Sequence, residues 1–367
     1  MATVDLRVRI DRIFALCDPA PEAILIETGV GGGPDPNVLY ATGFEWGALS
    51  GATVVLTPGD DPRLVTSPME AERARRAAGV AVLVAEDRDE GRRKIGSALR
   101  GLGRIGYNPH GLTVARFRQF EDLLPRVSWV DVSGALTRAR LVKDPDEVAR
   151  IRRAAEITAE TLDAVPECLE AGLEERSLAA DLEYRLRRAG ASGTAFEPIV
   201  AFGPGAAEPH HASGEAALEE GSLVLVDLGA RWRGYSADAT RTFAFGEIGA
   251  GEARMLAVVR EAQAAALSTL VPGGRLGDVH RAAARVVDSS EFRGRFLHAA
   301  GHSVGLEAQD GVVIHGGSEI TIEPEMVFAV EPGVYVPGTG GVRLEDTVRV
   351  TPEGPENLTE RPRHSGR

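Results

Sequence analysis

Two strongly apolar runs in the C-terminal half of this chain each end in an acidic residue. Asp227 directly follows the run 223–226, and Glu331 directly follows the run 327–330. Short continuous apolar runs of this kind are typical of strands that are covered on both faces. A carboxylate at the end of such a strand must be hydrogen-bonded, paired with a cation or bound to a metal, because an isolated buried anion loses its hydration.

Three further side chains with metal-binding chemistry lie in glycine-rich, apolar stretches. They are Asp238, His302 and Glu345. For any single acid, a solvated position or a salt bridge is the more common interpretation. Lysines and arginines are sparse near Asp227 and Glu331, and five such side chains in apolar surroundings together favour a metal as the shared counter-charge. The sequence therefore predicts a buried metal site.

A first predicted hairpin would bring two of the acids together. A two-residue loop at Trp232 and Arg233 would set Asp227 directly opposite Asp238. Both side chains would then point to one face of the ribbon.

A second predicted hairpin adds two more carboxylates. A tip at 337–339, which is rich in glycine and proline, would set Glu331 opposite Glu345. Four carboxylates balance the charge of two divalent ions, and His302 can supply a nitrogen ligand. Oxygen ligands with one imidazole suit manganese best, with cobalt, iron or zinc as alternatives. Two such ions activate water and polarise a carbonyl, so we expect a hydrolase.

Five short motifs surround these residues and resemble one known family. They are VDLG (226–229), SADATRT (236–242), GHSVGL (301–306), VEPGVY (330–335) and GVRLEDT (341–347). In this order they resemble the metallopeptidase family of prolidase, aminopeptidase P and methionine aminopeptidase. The resemblance implies a pita-bread fold, with two pseudo-symmetric halves in which an antiparallel sheet is backed by helices.

The resemblance also implies a role for each predicted ligand. Asp227 would hold one metal, and His302 and Glu331 would hold the other. Asp238 and Glu345 would bridge both metals. Glu331 would also act as the catalytic proton shuttle.

Two more positions match residues that handle substrate in the family. His210 corresponds to a catalytic histidine that contacts the substrate near the scissile bond, and Arg343 to an arginine that can face a substrate carboxylate. A guanidinium binds a carboxylate through two parallel hydrogen bonds, so Arg343 would suit a short peptide. A salt bridge from Arg343 to Glu345 or Asp346 is an equally good alternative. For His210 the alternative is a surface loop.

Gln309 marks a departure from the family pattern. Seven residues beyond His302, the resembling peptidases carry a second catalytic histidine, which would hydrogen-bond the substrate carbonyl or the intermediate. A glutamine amide can donate a hydrogen bond but cannot carry charge or transfer a proton. His315 could compensate, although a loop or strand-end position is the more common interpretation of a lone histidine beside two glycines.

The other histidines of residues 139–367 and one glycine run have no predicted role in the site. The role of His211 stays open, whereas His280, His298 and His364 are expected to be structural or exposed. The run at 31–33 is expected to be a turn, because it lacks the strand-to-helix context of a phosphate-binding loop.

Three functions are compatible with this pattern. The first is a dinuclear-metal hydrolase of a small amide, an Xaa-Pro dipeptide or a short Xaa-Pro peptide. The second is a non-peptidase metal-dependent hydrolase or lyase of a small carboxylated metabolite, which Gln309 keeps open. The third is a binding module without catalysis, although the binding modules built on this fold lack the ligands that this chain retains.

The composition is that of a globular enzyme. The chain has 367 residues, 43% hydrophobic and 26% charged, with a formal net charge of -13. This charge argues against nucleic acid as a partner. The charged N-terminal stretch leaves no signal-peptide core, and no apolar run reaches the length of a membrane span. We therefore expect no membrane partner, a cytoplasmic location and, from the resemblance, a homodimer.

The sequence predicts two domains in an α/β (α+β) class. Residues 1–138 alternate short apolar strands, at 23–26, 52–56 and 80–84, with charged helical stretches such as 69–78. This alternation indicates a smaller α/β domain. Motifs at 37–44 and 104–107 resemble the N-terminal domain of creatinase and prolidase. Residues 139–367 would form the pita-bread catalytic domain. A helix is expected to begin just after the boundary, with Asp144 as its N-cap.

Overall fold

The computed structural model describes residues 5–28, 35–45, 49 and 51–360. The chain divides into two compact units, Met1–Arg140 and Leu141–Arg367. The glycine run at 31–33 and His364 lie outside the described residues, so the expectations for them stay predictions. The assignment of 139–367 as the catalytic domain also stays a prediction.

A mixed sheet forms the centre of the first unit. Its strands are β1 (Ala23–Glu27), β2 (Thr53–Leu56), β3 (Arg63–Thr66), β4 (Ala81–Val84), β5 (Arg104–Tyr107) and β6 (Ser128–Asp131). The order is β4-β3-β2-β1-β5-β6. Only β2 runs against its neighbours in this part of the structure. The strands predicted from the apolar runs at 23–26, 52–56 and 80–84 are confirmed.

Helices complete this unit. They are α1 (Leu6–Ala15), α2 (Pro36–Thr42), α3 (Pro68–Ala74), α4 (Arg88–Ala98), α5 (Val114–Leu123) and α6 (Ser133–Leu141). Side chains from the sheet and from α4 and α5 share one buried core, which includes Leu25, Val55, Ile105 and Phe120. The predicted α/β class is confirmed for this unit.

The second unit contains four helices longer than any described in the first unit, and one short helix. They are α7 (Pro145–Asp163), α8 (Val165–Cys168), α9 (Glu175–Arg188), α10 (Ala250–Thr269) and α11 (Leu276–Asp288), with a 3-10 helix at Gly203–Ala207. α7 begins as predicted. Asp144 accepts a hydrogen bond from the Glu147 backbone, and Glu147 accepts one from the Asp144 backbone, so the helix start has a complete capping box.

The strands of the second unit form several antiparallel sheets. They are β7 (Gly193–Thr194), β8 (Ile199–Phe202), β9 (Ser222–Leu228), β10 (Ala230–Trp232), β11 (Tyr235–Ser236), β12 (Ala239–Phe245), β13 (Gly301–Ser303), β14 (Val327–Val330), β15 (Gly333–Val336), β16 (Gly340–Arg343), β17 (Asp346–Thr351) and β18 (Gly354–Asn357). The sheet orders are β11-β10-β7, β12-β9-β8, β13-β14-β17-β18 and β15-β16.

Helices pack against these sheets. α10 packs against β14, β15 and β16, and the shared core includes Val259, Val279, Phe328 and Val348. Full burial of one such side chain stabilises the fold by about 1.5 to 3 kcal/mol. The predicted antiparallel sheet backed by helices is therefore confirmed.

Among the helices in the described ranges, none is both long enough and apolar enough to cross a bilayer.

Candidate active site

The turn between β10 and β11 sets the register of the first hairpin. Trp232 pairs with Tyr235, so the turn is Arg233-Gly234 and the predicted loop at Trp232 and Arg233 is wrong by one residue. Arg233 has a φ of 47° and Gly234 a φ of 89°. A type I′ turn requires positive φ at both positions, and glycine adopts it without strain. This requirement explains why the turn contains Gly234 rather than Trp232.

Asp227 and Asp238 nevertheless line one cavity. Asp227 stands opposite Thr240 rather than opposite Asp238. Moving the turn by one residue shifts the cross-strand pairing by two, and a shift of two keeps each side chain on its face. Gly229 allows the strands to approach here, because a Cβ at this position would collide with the carbonyl oxygen of Ala237.

The second hairpin has the predicted register. Gly333 pairs with Arg343 along β15 and β16, and the same alignment continued outward sets Glu331 against Glu345. His302 comes from β13, which pairs with β14 just before Glu331. Three separate segments thus bring their polar side chains to the same cavity.

All five predicted metal ligands line this cavity, which has a volume of about 410 Å³. His302 Nε2 lies 3.6 Å from Asp238 Oδ2 and 3.6 Å from Glu331 Oε1. Ligand atoms of Asp238, His302 and Glu345 all lie within 4.8 Å of one another. The structure therefore brings together the residues that the sequence singled out.

The crowded acids change one another's protonation. Burial raises the pKa of Asp238, and the neighbouring Glu345 and Asp227 carboxylates raise it further. Burial and the same kind of repulsion raise the pKa of Glu345. Burial raises the pKa of Glu331 to about 8, and burial lowers the pKa of His302. In the absence of a cation, these acids therefore tend to hold protons.

The donor set fits divalent metal ions. Asp227 Oδ1 and Asp238 Oδ1 are buried and have no hydrogen-bond partner in the described part of the chain. A buried carboxylate oxygen without a donor is costly. A divalent cation would satisfy these oxygens and displace the protons, and carboxylates with one imidazole are ligands that such ions accept.

Arg343 also enters the cluster, with only 3% of its surface exposed. Its Nη2 donates to Asp227 Oδ2 at 2.6 Å, and its Nη1 donates to the Tyr335 hydroxyl at 2.9 Å. The acids considered from the sequence were Glu345 and Asp346, whereas the observed partner is Asp227. The guanidinium neutralises part of the cluster's charge and fixes one Asp227 oxygen.

His298 is a residue of the cavity that sequence reasoning missed. It lines the cavity wall, and the Tyr335 hydroxyl and His298 Nε2 lie 2.8 Å apart. His298 Nδ1 donates to the Ala299 carbonyl oxygen at 2.8 Å, so Nε2 of the neutral ring accepts the hydrogen bond from the Tyr335 hydroxyl. Burial lowers the pKa of His298 to about 4, which keeps the imidazole neutral as an acceptor. Its place four residues before His302 was the available signal.

The other histidines considered from the sequence, together with Gln309, fall into two groups. His210 and Gln309 line the cavity. His211 turns away from it and lies 2.8 Å from the Glu175 carboxylate. Among the residues that the structure describes along the cavity wall, His315 is absent, and its ring accepts a hydrogen bond from the Gly317 backbone.

Comparison with known proteins gives matches to both units. The sequence model of metallopeptidase family M24 matches residues 149–352, and that of the creatinase/prolidase N-terminal domain matches residues 17–142. The putative dipeptidase YkvY of Bacillus subtilis is 30% identical over 89% of this chain and 92% of its own length. The Xaa-Pro dipeptidase of Pyrococcus horikoshii is 30% identical over 89% and 90%.

A solved structure agrees with these matches. The Xaa-Pro dipeptidase from Bacillus anthracis is 26% identical, with a TM-score of 0.90 over 98% of both chains. The predicted pita-bread fold with an N-terminal α/β domain is confirmed by this likeness. The chain belongs to metallopeptidase family M24 and is a metal-dependent hydrolase of that family.

Proposed function

We propose that this chain is a dinuclear-metal hydrolase that cleaves Xaa-Pro dipeptides or short Xaa-Pro peptides. The observation that carries the proposal is the convergence of four carboxylates and the His302 imidazole on one cavity. The Xaa-Pro dipeptidases among its relatives support the same substrate class.

Asp227 would hold one ion, His302 and Glu331 the other, and Asp238 and Glu345 both. When bound, such ions polarise the scissile carbonyl and activate water for attack. Asp227 and Asp238 each have a buried oxygen that no donor from the described residues occupies.

Glu331 is the proposed proton carrier of the reaction. Its side chain is 18% exposed, more than that of Asp238, so it faces the open part of the cavity. Its carboxylate would take the proton of the attacking water and deliver it to the leaving amine. An amide nitrogen needs this proton, because it leaves poorly as an anion.

His210 and Gln309 would handle the peptide near the scissile bond. Both line the cavity, and each can donate one hydrogen bond to the substrate carbonyl or the developing oxyanion. The apolar side chains of Phe196, Ile199 and Val313 line the same cavity. They offer a surface suited to a proline ring.

Arg343 is the proposed anchor of the substrate carboxylate. A guanidinium has five N–H groups, and four of them already donate to Thr240, Pro209, Tyr335 and Asp227. Within the described residues one N–H of Arg343 therefore has no acceptor, which supports a single hydrogen bond to substrate rather than a bidentate pair.

Gln309 favours a second candidate, a non-peptidase metal-dependent hydrolase or lyase of a small carboxylated metabolite. The second histidine of the resembling peptidases would be titratable, whereas an amide is not. His315, which could have replaced that histidine, is not among the described residues that line the cavity. A reaction that needs only a neutral donor at this position would tolerate the exchange.

One experiment separates the candidates. Bound metal is measured in the purified protein, and Xaa-Pro dipeptides are assayed beside carboxylated metabolites with the wild type, Asp238→Ala and Gln309→His. Dipeptide turnover that is lost in Asp238→Ala supports the peptidase. Turnover of dipeptides only after Gln309→His supports the second candidate, and the absence of stoichiometric metal supports a binding module.

We further propose manganese as the native metal, a homodimer as the assembly and the cytoplasm as the location. Elemental analysis of protein from manganese-replete cells tests the metal. Gel filtration that gives the mass of one chain would contradict the dimer, and recovery in a fraction other than the cytoplasm would contradict the location.

A further inference from the structure

One buried acid, Glu175, holds both ends of the segment that carries His210. Glu175 is the first residue of α9 and only 1% of its surface is exposed. Its Oε1 accepts a hydrogen bond from the Phe202 backbone at 2.9 Å, and its Oε2 accepts one from the Gly214 backbone at 2.9 Å. Phe202 and Gly214 lie on either side of the segment 203–213, so one carboxylate closes the segment at its base.

The same carboxylate also holds a side chain from inside the segment. His211 Nε2 donates to Glu175 Oε2 at 2.8 Å. Gly205 gives this imidazole its space, since a Cβ at position 205 would lie 3.1 Å from His211 Cε1. The His211 ring thus packs between Gly205 and the start of α9. This contact fixes the backbone next to His210.

His210 has no comparable contact of its own. Its side chain is exposed and lines the catalytic cavity, and it makes no hydrogen bond to the residues that the structure describes. The preceding residue is held, because Arg343 Nη1 donates to the Pro209 carbonyl oxygen at 3.2 Å. The orientation of His210 therefore depends on the backbone on either side of it.

We propose that Glu175 is a positioning residue for the reaction, which acts through His211 and two backbone N–H groups to aim His210 at the substrate. This inference rests on the substrate-contacting role proposed for His210. The three donors that converge on Glu175 explain why an acid occupies the position, because an ionised carboxylate has only acceptors. If glutamine replaced Glu175, its NH2 group would face at least one of these N–H donors in either orientation, and two donors cannot form a hydrogen bond with each other.

A double-mutant cycle tests the proposal in the manganese-loaded enzyme. Glu175→Gln, His210→Ala and the double variant are compared by kcat/KM for an Xaa-Pro dipeptide. A shift of a catalytic group of about 1 Å can lower the rate about 100-fold. We expect Glu175→Gln to lower kcat/KM about 10- to 100-fold when His210 is present, but less than about threefold in His210→Ala. An equal loss in both backgrounds, or no loss, would overturn the proposal.

Glu147→Gln is the matched control. Glu147 is also 1% exposed, and it accepts hydrogen bonds from the Tyr235 hydroxyl and the Asp144 backbone. Its loss should lower the melting temperature and change kcat/KM by the same factor in both backgrounds. If Glu175→Gln does not fold, His211→Gln replaces it in the cycle and should show the same dependence on His210; an equal loss in both backgrounds would again contradict the proposal.

A readout without turnover separates this inference from the proposed function. The imidazole ¹H–¹³C NMR signal of His210, assigned by its loss in His210→Ala, is recorded in metal-free protein. Glu175→Gln or, if needed, His211→Gln should shift or split this signal, whereas Glu147→Gln should leave it unchanged. An unchanged His210 signal would refute the positioning role. If His210→Ala retains full activity while the signal moves, the proposed role of His210 fails and the positioning stands.

Discussion

Gln309 offers a direct test of the chemistry at the scale of one residue. It lines the cavity as a neutral donor, where an imidazole could also carry charge. We expect Gln309→His to raise kcat for an Xaa-Pro dipeptide about 10- to 100-fold, which is less than the factor of about 10² to 10³ for a whole oxyanion donor, because the amide already donates a hydrogen bond. Steady-state kinetics at saturating metal measure the effect. An unchanged or lower kcat would show that the amide suits the native reaction.

Arg343 is predicted to tune metal binding through Asp227. Arg343→Lys would remove the planar guanidinium that donates hydrogen bonds to both Asp227 and Tyr335. Loss of such a supporting hydrogen bond typically lowers metal affinity 10- to 100-fold, and we expect a fall of about that size for Mn²⁺ in calorimetric titration. Arg349→Lys is the control, because Arg349 binds Glu325 and Glu356 outside the cavity. Equal Mn²⁺ affinity in both variants would contradict the role of Arg343.

At the scale of the elements, Gly229 is predicted to be essential to the ribbon that presents Asp227 and Asp238. A Cβ there would collide with backbone at Ala237, so the strands must separate. We expect Gly229→Ala to lower the free energy of unfolding by about 1 to 3 kcal/mol and to weaken metal binding.

Chemical denaturation and metal titration check this prediction. Gly251→Ala in α10 is the control, because a Cβ at that position would meet nothing within 4 Å. This control should not destabilise the chain, since alanine is a better helix former than glycine. A Gly229→Ala variant as stable as the control would show that the ribbon tolerates the separation.

The two hairpins show how far the sequence predicts an element. The tip at 337–339 gave the correct register for Glu331 and Glu345, because glycine and proline confine the turn to that place. The turn between β10 and β11 was predicted one residue too early, because the predicted loop was centred between Asp227 and Asp238. The turn needs positive φ at its second position, and this places Gly234 there. Asp227 and Asp238 still line one cavity, because successive side chains of a strand alternate between its two faces and a pairing shift of two residues leaves each on its original face.

At the scale of the whole chain, the acid cluster predicts how stability depends on pH. The metal-free fold raises the pKa of Glu331 from 4.5 to about 8, so the native state holds a proton that the unfolded chain releases. This contribution to stability is complete below pH 4.5 and is lost as the pH rises towards 8. Asp238 and Glu345 shift in the same direction.

We therefore expect the metal-free protein to melt at a lower temperature at pH 8 than at pH 5.5. Manganese should raise the melting temperature more at the higher pH, where the carboxylates release their protons readily. Calorimetric scans with chelator and with added Mn²⁺ measure both effects. A melting temperature that rises with pH in chelator would contradict this account of the cluster.

The sequence predicts the members of the site better than their contacts. The four acids among the five proposed ligands could be singled out locally, because an acid in an apolar run needs a counter-charge wherever it lies. The pairing of Arg343 with Asp227 joins residues 116 positions apart. The hydrogen bonds of Glu175 likewise span 27 to 39 positions. No local pattern marks such contacts, since they depend on how strands and helices assemble.

The measurement that tests the central claim most directly is the metal stoichiometry of the purified chain. We predict two Mn²⁺ ions per chain by calorimetric titration and elemental analysis of the dialysed protein. We predict fewer than two in Asp238→Ala, because Asp238 is proposed to ligate both ions. A wild type that binds no stoichiometric metal, or an Asp238→Ala variant that binds two ions with unchanged affinity, would contradict the account.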